Sequence, residues 1–225
     1  GQDFPGWIYS SALMAVIVGI LVLQPDIGMT LMVVLTWGFQ MFLAGMPMLL
    51  VICIVALAPL GLVVAYFTLG HVHKRINQFW EGGAWQVEKA RDSFANGGLF
   101  GVGPGDGTVK HHLPDAHSDF IFAVAGEEFG ALACLTLLTL YAFIVLRGFS
   151  RAMSDEGLFC LIASASLLLQ FGVQAAIHMA SSVHLIPTKG MTLPLISYGG
   201  SSLVASALTM GLILALTRRR APYVL

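Results

Sequence analysis

Six apolar stretches of about membrane-spanning length divide this 225-residue chain. A helix that crosses the hydrocarbon core of a bilayer needs about 20 mostly apolar residues, and its backbone must satisfy its own hydrogen bonds. The stretches cover residues 8–23, 27–44, 48–69, 120–146, 157–180 and 191–216. The pattern predicts an all-α polytopic membrane protein with about six transmembrane helices, forming a single membrane domain over residues 1–225.

The composition agrees with this class. Hydrophobic residues make up 57% and charged residues 10% of the chain, whereas soluble domains average about 45–50% and 25%. The net charge of −1 provides no basic footprint for nucleic acid, so we expect no nucleic-acid partner. Cys53, Cys134 and Cys160 lie scattered in apolar runs, which predicts packing roles and neither a disulfide nor a metal site.

The polar segment 70–118 is predicted to form one large extracytoplasmic loop. Arg218, Arg219 and Arg220 end the last span, and Arg147 and Arg151 follow the fourth, which favours the cytoplasm for these ends. Basic residues of the long loop make the overall count nearly equal, so this orientation depends on the dense arginine cluster.

The last apolar block is interrupted at Pro194 and again at residues 199–202, which read Gly-Gly-Ser-Ser. This predicts a broken or re-entrant helix, which is tolerated at membrane depth only where protein or a wet cavity satisfies the freed backbone groups. Lys189 precedes the break. We expect it either to help form an anion site suited to a pyrophosphate or to extend its ammonium to the membrane interface.

Three acids lie at the head of the fourth apolar stretch: Asp119, Glu127 and Glu128. Intramembrane acids are functional-site hypotheses by default. Asp119 either caps the helix or acts as a base whose pKa an apolar wall raises, and its position allows both. Glu127 lies roughly 12 Å further along the helix and about 80° around it, which disfavours a paired-acid hydrolase. We expect Glu127 and Glu128 to lock the bundle by inter-helix hydrogen bonds or ion pairs.

Other polar residues indicate packing or solvation. Gln170, Gln174 and His178 recur every four residues on one face of the fifth span, which favours helix-to-helix hydrogen bonding over substrate contact. The loop histidines, such as His111 and His112, are expected to be solvated and not to bind a metal.

Three blocks of the sequence resemble the SEDS family (shape, elongation, division and sporulation): "LQPDIGMT" at 23–30, "GGLFGVGPGDGTVKHHLPDAHSDFIFAVAGEEFG" at 97–130 and "LIPTKGMTLPLISYGGSSL" at 185–203. The similarity extends over essentially the whole chain. The order Thr192, Leu193, Pro194 is closer to the FtsW-like division branch than to the RodA-like elongation branch. Members have about ten spans, so the resemblance implies that this chain is the C-terminal part and lacks roughly four spans.

The resemblance also implies a function. Such proteins are inverting peptidoglycan glycosyltransferases that join lipid II disaccharide units into glycan strands during cell division. The implied partners are lipid II, a class B penicillin-binding protein, other divisome membrane proteins and membrane lipids. The implied location is the bacterial cytoplasmic membrane at the division septum, with the active side extracytoplasmic. A flippase for lipid-linked precursors and a non-catalytic scaffold that activates the transpeptidase are the alternatives.

The site residues follow from the same resemblance. The family's essential acid in a His-Thr-Asp-Phe motif corresponds to Asp119, with Ser118 in place of the threonine, which keeps a hydroxyl. Mg²⁺ or Mn²⁺ is the expected cofactor, with no ligands assigned. The expected substrate-binding residues are Lys189, Arg75, Lys110, His117, Ser197 and Ser201, and the expected structural or regulatory residues are Glu127, Glu128, Gln24, Pro25, Asp26, Gly199 and Gly200.

Overall fold

The computed structural model describes residues 6–24, 26–47, 49, 63, 66–68, 70–80, 85–154, 157–187 and 190–218. Within these ranges the regular structure is helical, with no strand. In chain order the helices are α1 (Gly6–Leu23), α2 (Ile27–Leu43), α3 (Gly70–Trp80), α4 (Trp85–Gly97), a short 3-10 helix (Val109–His112), α5 (Ile121–Ala152), α6 (Leu158–Ser182) and α7 (Gly200–Leu216).

The predicted polytopic membrane fold is confirmed. Helices α1, α5 and α6 are long and apolar enough to cross a membrane, and α2 and α7 are shorter apolar helices. The last apolar block is broken as predicted, because residues 190–199 are not helical and α7 begins only at Gly200. The predicted span 48–69 lies almost entirely outside the described residues.

The long polar segment is a folded cap on α5. Helix α4 packs its apolar side against the N-terminal part of α5, where Ala90, Phe120 and Ala123 form a buried cluster with Leu113 from the loop. Phe94 extends this cluster to Phe122 through an edge-on ring contact of 5.8 Å between centroids. The apolar character of residues 120–123 therefore reflects burial under α4.

Helix α5 contains a break that the sequence pattern did not predict. Gly130 has φ 80° and ψ 179°, so the helical path is interrupted there. The N–H groups of Ala131 and Leu132 donate to the carbonyls of Gly98 and Leu99, at 2.9 and 3.3 Å. Loop backbone thus supplies acceptors where the helix no longer provides them.

The loop makes the reciprocal bonds to the helix segment before the break. The N–H groups of Val102 and Gly103 donate to the carbonyls of Glu127 and Glu128, both at 3.0 Å. Gly101 lies between these contacts with φ 81°, and a Cβ there would lie 2.1 Å from the Glu128 carbonyl oxygen. Only glycine allows this approach, so the glycine-rich stretch docks against α5.

The main core lies between α5, α6 and the segment before α7. Tyr141 and Phe171 stack with ring centroids 5.5 Å apart. Cys134 is buried in this cluster and Cys160 is partly buried, both as free thiols. Their predicted packing role fits these positions, and Cys53 lies outside the described residues.

Candidate functional site

The irregular segment 190–199 is held in place by polar side chains of two spanning helices. His178 donates through Nδ1 to the carbonyl of Met191 at 2.6 Å, and Gln174 donates through Nε2 to the carbonyl of Thr192 at 3.0 Å. The Tyr141 hydroxyl donates to the carbonyl of Pro194. These bonds satisfy backbone that has left the helical path. The expectation that Gln174 and His178 join helix to helix is therefore corrected, because their partners are loop carbonyls.

Ser197 joins this segment to the residues that precede Asp119. Its hydroxyl donates to the carbonyl of Ser118 at 2.7 Å and accepts the N–H of Leu193 at 2.7 Å. A second bond runs from the N–H of Tyr198 to the carbonyl of His117 at 2.9 Å. Two sequence motifs almost 80 residues apart therefore form one structural unit.

Asp119 lies at the junction of these two motifs, just outside the span. A Cβ placed on Gly190 would lie 3.4 Å from Oδ2 of Asp119, so the half-buried carboxylate faces the segment that follows Lys189. The N-cap residue of α5 is Phe120, and no side-chain capping bond is made there. The alternative that Asp119 caps the helix is therefore contradicted. Its carboxylate makes no hydrogen bond or ion pair with the described residues.

The surroundings of Asp119 favour its protonated form. Burial raises the pKa of the Asp119 carboxyl above its ordinary value, and the nearby Asp115 carboxylate raises it further. His117 acts weakly in the opposite direction. A carboxylate with a raised pKa is a stronger base than an exposed aspartate.

The predicted substrate-binding residues occupy different surroundings. Lys110 forms an ion pair with Glu128 and also donates to the carbonyl of Gly105 at 3.0 Å. His117 is exposed, with its ring edge-on to Tyr198 at 5.3 Å between centroids. Arg75 lies in α3, whereas Lys189 is outside the described residues.

A cavity of about 380 Å³ lies between the start of α2, α6, α7 and the irregular segment. Gly190 lines this cavity and also faces Asp119, so the cavity and the carboxylate share a wall. The predicted site residue Ser201 and the structural residue Asp26 also line it, together with Gln170, Gln174 and Thr209.

The residues assigned structural roles lie mostly at helix ends. Asp26 caps α2 by accepting the N–H of Met29 at 2.9 Å. Gln24 follows α1, and its backbone N–H donates to the carbonyl of Ile20 at 3.2 Å. Gly199 precedes α7 and Gly200 begins it, whereas Pro25 lies outside the described residues.

Glu127 holds the loop in a way that the sequence did not reveal. Its side chain is fully buried, and Oε1 accepts the Asn96 amide at 2.9 Å and the N–H groups of Thr108 and Val109 at 2.8 Å. Oε2 accepts the N–H of Lys110 at 3.0 Å. The carboxylate therefore binds the N-terminus of the 3-10 helix. The expected inter-helix bond exists through Asn96 of α4, but three of the four bonds go to loop backbone.

Within the described part of the chain, no three His, Cys, Asp or Glu residues come together as metal ligands. His111 and His112 are exposed on the 3-10 helix.

Comparison with known proteins decides the family. The sequence profile of the FtsW/RodA/SpoVE family, described as a cell cycle protein, matches residues 3–221. The chain belongs to this family. The resemblance drawn from the three sequence blocks is confirmed.

Curated relatives in the FtsW/RodA/SpoVE family carry a consistent name. The chain is 41% identical over 223 residues to the probable peptidoglycan glycosyltransferase FtsW of Caulobacter vibrioides, covering 98% of this chain and 57% of the relative. It is 35% identical over 221 residues to the protein of the same name from Legionella pneumophila, covering 93% and 56%. The chain thus spans somewhat more than half the length of these relatives.

Two solved structures share the fold. One is a chain of a structure described as "Structural coordination of polymerization and crosslinking by a peptidoglycan synthase complex". Its TM-score is 0.73 and its identity 27%, and the match covers 94% of this chain and 62% of that one. The other is an aspartate-to-alanine mutant of the rod shape determining protein RodA of Thermus thermophilus, with a TM-score of 0.62, 26% identity and coverage of 98% and 60%.

Proposed function

We propose that the full-length protein containing this chain is a peptidoglycan glycosyltransferase that joins lipid II disaccharide units into glycan strands during cell division. The observation that carries the proposal is Asp119, a half-buried carboxylate beside the irregular segment, without a hydrogen-bond or ion-pair partner among the described residues. The names of the curated relatives support the reaction class. The active side is the extracytoplasmic face of the bacterial cytoplasmic membrane, at the septum.

The chemistry needs one base and not two. A sugar diphosphate has a good leaving group, so polymerisation requires removal of a proton from the acceptor hydroxyl and positive charge near the departing diphosphate. Asp119 takes the acceptor proton while the hydroxyl oxygen bonds to the anomeric carbon. The bond from that carbon to the diphosphate breaks, and the diphosphate leaves with the electron pair. A single displacement of this kind inverts the anomeric configuration.

Lys189 and Arg75 are the proposed cationic partners of the leaving diphosphate. Lys189 immediately precedes Gly190, which faces Asp119. Because the Lys110 ammonium is engaged by Glu128, we expect Lys110 to act through the position of its loop. The hydroxyl of Ser201 and the ring of His117 are then contacts for the sugar-diphosphate head.

A divalent cation at this site would be bound together with the substrate diphosphate. Mg²⁺ is commonly bound by one or two carboxylates together with substrate phosphates and water, and not by a complete protein cage. The diphosphate oxygens of the substrate would then supply most of the ligands, and Asp119 would stay free to accept the proton. Mg²⁺ or Mn²⁺ would supply positive charge to the diphosphate oxygens.

The proposed protein partner is a class B penicillin-binding protein, alongside other divisome membrane proteins and membrane lipids. The support is the similarity to a chain of a peptidoglycan synthase complex that coordinates polymerization and crosslinking. Lipid II supplies both donor and acceptor in this proposal.

The deciding experiment uses the full-length protein, purified with its partner transpeptidase inactivated. The complex receives labelled lipid II and Mg²⁺, and the products are separated by size. Wild type and Asp106→Asn, which changes an exposed loop carboxylate, are expected to make long glycan, whereas Asp119→Ala and Asp119→Asn make none.

Other outcomes would support the other function classes. Full glycan synthesis by Asp119→Ala would refute the assignment of the base. A folded wild-type complex that makes no glycan in detergent, but moves lipid-linked precursor across vesicles, would establish a transporter. Activation of the transpeptidase without either activity would establish a scaffold.

A further inference from the structure

The break in α5 marks where its membrane-spanning part begins. Residues 129–146 contain no charged side chain, and Glu128 and Arg147 flank them. At 1.5 Å per residue this stretch is about 27 Å long, close to the roughly 30 Å of a hydrocarbon core. The helix segment before the break is covered by α4 on one side. It folds back along the segment after the break, since the Cys134 thiol lies 3.8 Å from the carbonyl oxygen of Phe122. The ends of the uncharged stretch therefore place the hydrocarbon boundary near Phe129.

The tip of the long loop docks at this same height. The carbonyls of Gly98 and Leu99 accept bonds from the first two residues after the break. Gly101 closes the tip by donating its N–H to the carbonyl of Gly97 at 2.7 Å. The backbone of the tip is therefore held against α5, and its side chains are displayed at a constant depth.

Two side chains of this tip, Leu99 and Phe100, are large, apolar and exposed. Leu99 is 64% exposed and Phe100 is 78% exposed. Beside them on α5, Phe129 is 49% exposed and Leu132 is 50% exposed. The exposed apolar side chains of the tip thus lie beside exposed apolar side chains of a spanning helix.

We propose that Leu99 and Phe100 insert into the acyl-chain region of the leaflet next to the long loop. Aromatic and aliphatic side chains at a membrane boundary are stabilised by burial in lipid. The insertion fixes the height of the loop, including the 3-10 helix bound by Glu127, relative to the membrane surface. The proposal does not depend on the enzymatic activity.

Depth-dependent fluorescence quenching tests the insertion. The full-length protein, with its native cysteines replaced, receives a single cysteine with an environment-sensitive label at Phe100, His111 or Leu140, and is placed in lipid nanodiscs. His111 is exposed on the 3-10 helix and serves as the aqueous control. Leu140 is exposed near the middle of the span and serves as the deep control. The quenchers are iodide in water and nitroxide lipids labelled at acyl position 5 or 12.

The Phe100 label is expected to be quenched most by the position-5 nitroxide lipid and little by iodide. The Leu140 label should respond most to position 12, and the His111 label to iodide. A second label at Leu99 must report the same shallow depth as Phe100. Strong iodide quenching at Phe100 without lipid quenching would overturn the proposal. Resistance to both quenchers would also overturn it, because a protein surface would then cover the tip.

Discussion

Replacing Glu127 by alanine is expected to release the segment 102–112 from α5 while the spans remain folded. The substitution removes the acceptor of four hydrogen bonds, three from backbone N–H groups of residues 108–110 and one from the Asn96 amide. Because the Glu127 side chain is fully buried, these donors lose their partner in a place of limited water access.

The magnitude follows from the number of donors. An unsatisfied buried donor costs about 1–3 kcal/mol. Asn96 is exposed, so its amide can bond to water, and the lower figure for the three backbone donors gives about 3 kcal/mol. Since 1.4 kcal/mol corresponds to tenfold, local opening should become roughly 10²-fold more frequent. Glu127→Gln keeps an oxygen at the position of Oε1, which accepts three of the bonds, and places an NH₂ against the N–H of Lys110. Its expected cost is the lower figure for one donor, about 1 kcal/mol, or roughly fivefold.

Hydrogen–deuterium exchange with mass spectrometry on the full-length protein in nanodiscs measures this opening. Peptides covering 102–112 should exchange fastest in Glu127→Ala, less in Glu127→Gln and slowest in wild type, whereas peptides from α6 stay unchanged. Glu88→Gln, an exposed carboxylate on α4, is the matched control. Wild-type exchange in Glu127→Ala would refute the reasoning. Equal effects of Gln and Ala would show that the charge, and not the number of acceptors, holds the loop.

Three further predictions concern the site and its loop. Because burial and Asp115 raise the pKa of Asp119, the rate of glycan synthesis should begin to fall at a higher pH than it would with an aspartate of ordinary pKa. Asp115→Asn should move this acid limb of the rate profile to lower pH. Ser197→Ala removes the acceptor of the Leu193 N–H and the link to Ser118. The free energy of unfolding should therefore fall by about 1–3 kcal/mol, seen as a lower melting temperature, and an unchanged melting temperature would contradict this. Gly101→Ala should expose 98–103 to exchange, because its Cβ would meet the Glu128 carbonyl at 2.1 Å, whereas Gly105→Ala, with equally positive φ but no atom within 4 Å, should not.

The sequence was sufficient for the spans and for the position of the catalytic candidate. Length and hydropathy predicted α1, α5 and α6, since a bilayer imposes both on any helix that crosses it. Pro194 and the glycines at 199–200 predicted the irregular segment, because proline and glycine interrupt helices by local geometry. The motif around Asp119 indicated the acid.

Contacts between residues far apart in the chain could not be predicted from the sequence. Gly130 stands in an apolar run that is compatible with an unbroken helix, and nothing nearby signals its positive φ. The partners of Glu127 lie 17–31 residues away. Such bonds depend on the path of the glycine-rich loop. That path is set by the contacts of the loop with residues 127–131.

The break at Gly130 explains why acids are tolerated at the head of an apolar run. Counted from residue 120 as one straight helix, the run would carry Glu127 and Glu128 well into the bilayer. With the hydrocarbon boundary near Phe129, both acids lie at the membrane surface, where Glu128 pairs with Lys110 and Glu127 receives four hydrogen bonds. The buried bonds of Glu127 hold the loop, and Ser197 holds the segment next to Asp119. Asp119 alone among the acids of this run is left without a partner among the described residues, as a base for an incoming hydroxyl requires.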